Sequence, residues 1–149
     1  MAKLAPTLTD AQLTAIIDRR PPGMAKLTKA VLAKVRQRLP GAVEMVYDKK
    51  NSLVIGFCAA AKAANVINSI AVYSKWINLY FFEGDTLPDP EGLLQGSGSM
   101  VRSIRVTDAA ELDRPAVKAL MAAALKCSEP PLDSRAKRTI FLKQAARRN

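Results

Sequence analysis

The residues best suited to chemistry gather in one loop, residues 83–99, which interrupts an otherwise regular pattern of helices and strands. Four carboxylates lie within nine residues of this loop: Glu83, Asp85, Asp89 and Glu91. Hard cations such as calcium, magnesium and manganese prefer carboxylate oxygens as ligands, and iron also accepts them. The spacing is not that of an EF-hand, and Pro88 and Pro90 hold the chain extended, which spreads the side chains apart. The loop is therefore a candidate metal site without a recognised motif.

Two further interpretations apply to the same loop. Gly96 and Gly98 can present backbone N–H groups to an anion, with the cationic side chain of Arg102 or Arg105 beside them. Alternatively the loop is structural: a turn begins at Asp89, the leucines at 93–94 pack onto the core, and the glycines adopt backbone angles that other residues avoid. The sequence leaves the metal, anion and structural interpretations open.

Histidine is absent from the 149 residues, and this absence excludes several kinds of active site. Serine and cysteine nucleophiles that are activated by histidine are ruled out in their usual form. The two cysteines, Cys58 and Cys127, cannot supply four soft ligands, so we do not expect zinc. We do not expect haem either, and histidine, its most common axial ligand, is absent. Both cysteines lie in apolar stretches of sequence, and we expect free thiols in a reducing compartment.

The net charge of +10 is concentrated at the two ends of the chain. Residues 1–50 carry ten basic and four acidic side chains, residues 108–149 carry nine and five, and the residues between them are neutral overall. A pI near 10 favours contact with a polyanion. The candidate nucleic-acid contacts are Lys26, Lys29, Arg36, Arg135, Lys137 and Arg138. An ordinary solvated helix face explains the same charge pattern, so both interpretations remain open.

Hydrophobic periodicity predicts an α+β fold in which one antiparallel sheet of about five strands is packed by N-terminal and C-terminal helices. A capping box at Thr9 and Gln12 begins one helix, and an apolar stripe predicts a second helix over residues 24–38. Asp113 is the expected N-cap of a third helix. The predicted strands are residues 43–47, 52–57, 69–73, 76–82 and 101–106.

The predicted organisation of the chain has three parts. Residues 1–23 form a helical appendage and linker, residues 24–128 form the α+β domain, and residues 129–149 form a basic tail that we expect to be helical. No apolar run is long enough to span a bilayer, and the N-terminal residues lack the apolar core of a secretory signal. We therefore expect a cytoplasmic protein.

Residues 69–106 resemble the YdhG-like family over a series of positions. After an aromatic strand, the resembling residues are Gly84, Leu87, Asp89–Pro90, Leu93–Leu94, Gly96-x-Gly98 and Arg102. Upstream, LPGAVEMVYD at 39–48 is similar to the family's Pro-x-x-x-Glu-x-x-Tyr element. The resemblance covers residues 26–126 and implies a compact α+β domain with an antiparallel sheet. The family is a domain of unknown function, and some members carry a frataxin-like iron-chaperone label, so the resemblance implies iron as a candidate ligand.

A candidate ligand site lies where the loop meets the strands, because polar and aromatic residues gather there. Its residues are Glu44, Tyr47, Trp76, Tyr80, Gly96, Gly98 and Arg102. We expect a non-enzymatic module that binds a small molecule or a protein partner at this site. The alternative is non-specific nucleic-acid binding through the basic N-terminal and C-terminal helices, which predicts affinity that falls steeply with salt.

Overall fold

The computed structural model describes residues 5–145, and within that range it contains three α-helices and seven β-strands. In chain order the elements are β1 (Thr7–Leu8), α1 (Asp10–Ile17), α2 (Pro22–Arg38), β2 (Val43–Asp48), β3 (Leu53–Cys58), β4 (Val66–Val72), β5 (Ile77–Phe81), β6 (Arg102–Val106), α3 (Pro115–Lys126) and β7 (Ile140–Gln144). The predicted α+β class is confirmed. None of the described helices combines the length and the apolar character that crossing a membrane requires.

The strands form one sheet in the order β1-β7-β2-β3-β4-β5-β6. Neighbouring strands are antiparallel except β2 and β7, which run parallel. All five predicted strands are present, as β2 to β6. The predicted number of about five strands is too low, because each end of the chain adds one more strand to the sheet.

The N-terminal helix begins at the predicted capping box. The Thr9 hydroxyl accepts from the Gln12 backbone N–H at 3.1 Å, and the Gln12 side chain accepts from the Thr9 N–H at 2.8 Å. Leu13 and Ile17 on this helix are buried in the same core as α2 and the strands. The division of the chain at residue 23 stays a prediction, and residues 1–4 lie outside the described residues.

The N-cap of the third helix lies one residue after the predicted N-cap, Asp113. Arg114 is the N-cap of α3, and its side chain makes no capping hydrogen bond. Asp113 instead accepts hydrogen bonds from Lys34 at 2.5 Å and from Arg38 at 3.3 Å on α2. The hydrogen bond from Lys34 is the main reason that the pKa of Asp113 is lowered. The carboxylate predicted to cap α3 therefore links α2 to the segment that precedes α3.

The basic tail was predicted to be helical, and for its described part this prediction is wrong. Residues Ile140–Gln144 form β7, which lies between β1 and β2 in the sheet. Ile140 is buried in the core, and the Glu44 N–H donates to the Thr139 carbonyl at 2.8 Å. An isoleucine, a phenylalanine and a leucine in succession suit a strand once a neighbouring strand edge can pair with them. Residues 146–149 lie outside the described residues.

The sheet has two different faces, which we name the helix-covered face and the open face. On the helix-covered face, side chains from alternate strand positions pack with α1, α2 and α3 into one hydrophobic cluster. In β5, Ile77, Leu79 and Phe81 point into this cluster, whereas Asn78 and Tyr80 point to the open face and are half-buried. In the sheet, β5 lies between β4 and the edge strand β6.

Candidate functional site

The seven residues of the predicted ligand site do not come together. Glu44 and Arg102 are paired in register with Phe57 and Phe81, which are buried core residues, so both point to the helix-covered face. They lie on β2 and β6, which three other strands separate. Tyr80 shares a row with Gly56 and Ser103 on the open face. The predicted set is therefore divided between the two faces of the sheet.

Glu44 forms a buried ion pair beneath α2. Its two carboxylate oxygens each accept a hydrogen bond from Arg36 at 2.8 Å, and the Arg138 guanidinium lies 3.8 Å away. Burial lowers the pKa of Arg36, but the hydrogen bond and the charge of Glu44 outweigh this effect, so the pKa is raised. A bidentate pair of this kind holds a helix and the C-terminal segment against a strand. Glu44 is thus engaged within the protein and does not face a ligand.

The four loop carboxylates do not converge on a common point. Asp89 accepts from the backbone N–H groups of Leu93 at 2.8 Å and Leu94 at 2.9 Å. Glu91 lies 3.9 Å from Arg114. Within residues 5–145, no group of three or more acidic or cysteine side chains is placed to hold a metal ion. In residues 5–145 the structure therefore does not gather Glu83, Asp85, Asp89 and Glu91 into such a group, and Asp89 stabilises the turn.

Arg102 is used to hold the glycine-rich part of the loop. Its guanidinium donates to the carbonyls of Gly98 at 2.6 Å and Val101 at 2.9 Å. Gly96 adopts a φ of +134°, which is open to glycine, and a Cβ at Gly84 would collide with the Arg102 side chain. The loop therefore directs carbonyl groups at the arginine, which agrees with the structural interpretation of this segment.

Three of the six predicted nucleic-acid contacts form ion pairs with carboxylates of the same chain. Arg36 and Arg138 bind Asp10 and Glu44, and Lys29 lies 2.5 Å from Asp18. The other three have no ion pair in the described part of the chain: Lys26, Arg135 and Lys137. The basic surface on the helix side is consequently weaker than the sequence suggests.

The open face contains a groove, which we name the sheet groove. It has a volume of about 250 Å³ and crosses β2, β3 and β4. Its lining includes Met45, Tyr47, Lys49, Gly56, Cys58 and Phe82. Gly56 leaves room at the floor: a Cβ there would meet nothing closer than Val66 at 3.7 Å and the Met45 carbonyl at 3.8 Å. A missing side chain on an otherwise apolar face thus creates the concave shape.

Two titratable groups in the sheet groove, Cys58 and Tyr47, are held in their neutral forms. Burial raises the pKa of the Cys58 thiol to about 11, and the positive charge of Lys143 opposes this shift. The pKa of Tyr47 is also raised, first by burial and then by the neighbouring Cys58. Both groups therefore stay protonated at neutral pH, and neither is an activated nucleophile.

A second, shallower depression of about 660 Å³ continues from the sheet groove. The two share Ala63, Val66 and Phe82, and the depression extends to Met100 and Val101 in the glycine-rich loop. Met100 is 49% exposed and Val101 is 39% exposed, which is unusual for large apolar residues. Together the groove and the depression form a continuous apolar track, which we name the open-face track.

An aromatic cluster occupies the other end of the open face. The Tyr73 and Trp76 rings lie 5.6 Å apart, and the Tyr73 and Tyr80 hydroxyls are 3.4 Å apart. The Arg105 guanidinium stacks on the Trp76 ring at 4.3 Å from its centroid. Because these aromatic side chains contact one another and Arg105, they form a packed rim outside the sheet groove.

Gly56, Cys58 and Phe82 were not among the predicted site residues, although the sequence contains a signal for two of them. Residues 53–58 alternate so that one set of side chains is large and apolar and the other contains a glycine and a cysteine. The sequence alone did not show that the second set faces a side of the sheet without a covering helix.

The chain matches no family model, no curated protein and no solved structure. The likeness to the YdhG-like family therefore stays a resemblance carried by the motif positions.

Proposed function

We propose that this protein is a binding module that takes a small, predominantly apolar molecule in the sheet groove. The observation that carries the proposal is the groove itself, about 250 Å³ in volume, on the face of the sheet opposite the cluster that contains α1, α2 and α3. Concave, mostly apolar clefts with a few polar groups are the usual sites for small ligands. The two free cysteines suit a cytosolic, YdhG-like protein, which remains part of this proposal.

The chemistry of the lining favours binding over catalysis. Tyr47 and Cys58 have raised pKa values, so the groove offers neither a thiolate nor a phenolate at neutral pH. Its other residues are mainly apolar, with Lys49 and Ser69 as polar groups. Removing the apolar surface of a ligand from water supplies the affinity at such a site.

A variant that fills the groove tests the proposal. In Gly56→Val the new side chain has room at its Cβ, suits a strand, and occupies the floor of the groove. The probe is N-phenyl-1-naphthylamine, a neutral aromatic amine whose fluorescence rises in apolar surroundings. We expect Gly56→Val to weaken binding at least about tenfold, which corresponds to about 1.4 kcal/mol.

The matched control is Gly23→Val, which adds the same side chain at a position of α2 where a Cβ meets nothing within 4 Å. It should bind the probe with wild-type affinity. Unfolding curves for both variants establish that each is folded. Equal binding by folded Gly56→Val and wild type would contradict the proposal.

Non-specific nucleic-acid binding is a second proposal, and the cations without ion pairs at Lys26, Arg135 and Lys137 favour it. Deleting the tail is an unsuitable test, because the tail contains β7. Replacing the three cations by glutamine is the better test. A labelled duplex should bind the wild type with affinity that falls steeply between 50 and 200 mM salt, and bind the triple variant with a shallower dependence. Salt-independent binding would reject this proposal.

A further inference from the structure

We propose, on the basis of the proposed function, that the ligand is an amphipathic anion: an aliphatic carboxylate whose acidic group binds at Lys49 and Lys143 and whose hydrocarbon body follows the open-face track. Lys49 lines the sheet groove just beyond the end of β2, and Lys143 lies on β7, which pairs with β2 at Val46 and Tyr47. The exposed side chains of Met100 and Val101 line the far depression of the track.

The distribution of charge between the two faces of the sheet supports the anion. The acidic residues of the described strands, Glu44 and Asp48, both point to the helix-covered face, where each is close to two arginines. The strands therefore place no carboxylate on the open face. Lys49 lines the groove, and the charge of Lys143 acts on Cys58 in the same groove. Neither lysine has an ion pair within residues 5–145.

The position of Glu83 determines how the ligand is oriented along the open-face track. Glu83 lines the far depression beside Met100, and it has no ion pair within the described residues. A negative group on the ligand would be repelled there and attracted at Lys49 and Lys143. The acidic end of the ligand therefore belongs at the β2 side, and the uncharged end belongs beside Phe82.

The length of the track suits a hydrocarbon chain. From β2 to β5 it crosses three strand-to-strand spacings, which amount to about 14 Å. Met45, Val54, Val66 and Phe82 line this path without an intervening charge. A single-stranded nucleic acid fits less well, because its phosphates would need cations along the whole length and would meet Glu83.

Three ten-carbon probes that differ in their head groups test the inference: decanoate, decan-1-ol and decyltrimethylammonium. Each is measured by displacement of N-phenyl-1-naphthylamine from the wild-type protein. We expect decanoate to bind at least about tenfold more tightly than decan-1-ol, and the ammonium to bind most weakly. Affinity for carboxylates should also rise from hexanoate to decanoate by up to about fourfold per methylene.

The double variant Lys49→Gln/Lys143→Gln should bind decanoate as weakly as decan-1-ol and leave the affinity for decan-1-ol unchanged. The control Lys26→Gln/Lys118→Gln removes two exposed cations on α2 and α3, away from the track, and should keep the preference for decanoate. Equal affinity for the carboxylate and the alcohol in wild type, or an undiminished preference in the double variant, would overturn the inference.

The outcomes separate this inference from the proposed function. If Gly56→Val loses the neutral probe but the head groups bind equally, the groove is a ligand site and the anion is wrong. If Gly56→Val binds the neutral probe like wild type, the proposed function fails, and the inference fails with it. Displacement of the probe by oligothymidylate at lower concentrations than decanoate would overturn the inference in favour of a nucleic acid.

Discussion

The two faces of strand β2 use charge in opposite ways. On the helix-covered face, Glu44 and Asp48 are buried, and each lies close to two arginines from the surrounding elements. On the open face, Met45 and Tyr47 line an apolar groove, and Lys49 at the end of the strand has no ion pair in the described residues. The strand therefore carries compensated charge on one side, and the cation that directly follows it on the other side is uncompensated within the described residues.

This difference separates the residues that determine the stability of the fold from those that we expect to determine ligand affinity. A buried carboxylate is stable only where hydrogen-bond or ion-pair partners compensate its charge. Here Asp48 binds Arg19, which follows α1, and Glu44 binds Arg36 on α2 and Arg138 in the C-terminal segment. A cation beside an apolar cleft keeps its attraction for an anion from outside the chain. Changes on the helix-covered face should therefore alter the free energy of unfolding, and changes on the open face should alter ligand affinity.

The largest expected effect on stability follows from Glu44→Gln. The substitution removes the buried carboxylate that Arg36 and Arg138 share and leaves them only the exposed Asp10, so we expect the free energy of unfolding to fall by about 3 kcal/mol. Urea denaturation measures this change. Probe affinity of the folded protein should stay at the wild-type value.

The control for that substitution is Glu91→Gln, because Glu91 is exposed and lies 3.9 Å from Arg114. Its effect should be within about 0.5 kcal/mol. A Glu44→Gln variant as stable as this control would break the comparison, because Glu44 would then not anchor the helix-covered face.

The two thiols should differ in reactivity by about 100-fold or more at pH 8. Cys58 is buried with its pKa raised to about 11, whereas Cys127 is exposed. Because the thiolate is the reactive species, a disulfide reagent should modify Cys127 rapidly and Cys58 slowly. Cys127→Ser isolates the slow thiol, and both thiols should react quickly in denaturant. Rapid modification of Cys58 in the folded variant would show that the groove is more open than described.

A smaller effect is expected on stability at alkaline pH. The pKa of Cys58 is about 11 in the folded state and near 8.5 when unfolded, so folding favours the protonated thiol. This contribution is complete below pH 8.5 and is lost as the pH rises towards 11. The decline of unfolding free energy over that window should be shallower in Cys58→Ala, by on the order of 1 kcal/mol. Parallel pH profiles for the two proteins would contradict the assigned shift.

The smallest effect concerns the rim of the open face. Arg105 is exposed and stacks on Trp76, so Arg105→Gln should cost about 0.5 kcal/mol in unfolding free energy. Trp76 is the single tryptophan of the chain, and its fluorescence emission should change with the substitution. Lys75→Gln, next to the same ring in sequence, is the control and should leave the emission unchanged. An unaltered emission spectrum in Arg105→Gln would show that Arg105 does not stack on Trp76 in solution.

Much of the fold could be predicted because its signals are local. The Thr9 capping box, the apolar stripe of α2 and the alternation in five strands depend on residues a few positions apart. The helical prediction for the tail failed because its strand forms by pairing with β1 and β2, which lie far earlier in the chain. Short apolar runs do not distinguish helix from strand until a pairing edge is known.

The candidate site was harder to predict than the fold. The sequence drew attention to Glu44, Arg102 and the loop carboxylates because of their residue types. Those groups are engaged within the protein, as in the hydrogen bonds of Asp89 to the backbone and of Arg102 to Gly98. The sheet groove depends on Gly56, which has no chemistry of its own and matters only for the space that it leaves.

By itself, the sequence determined the α+β class, the positions of the central strands and the absence of histidine chemistry, because composition and short-range periodicity carry this information. Tertiary structure decided which face of the sheet is covered, which charges are compensated and where a concave surface remains. These properties arise between residues that are distant in sequence. Only after the chain has folded does Glu44 lie beside Arg138, and only then do Gly56 and Phe82 line the same groove.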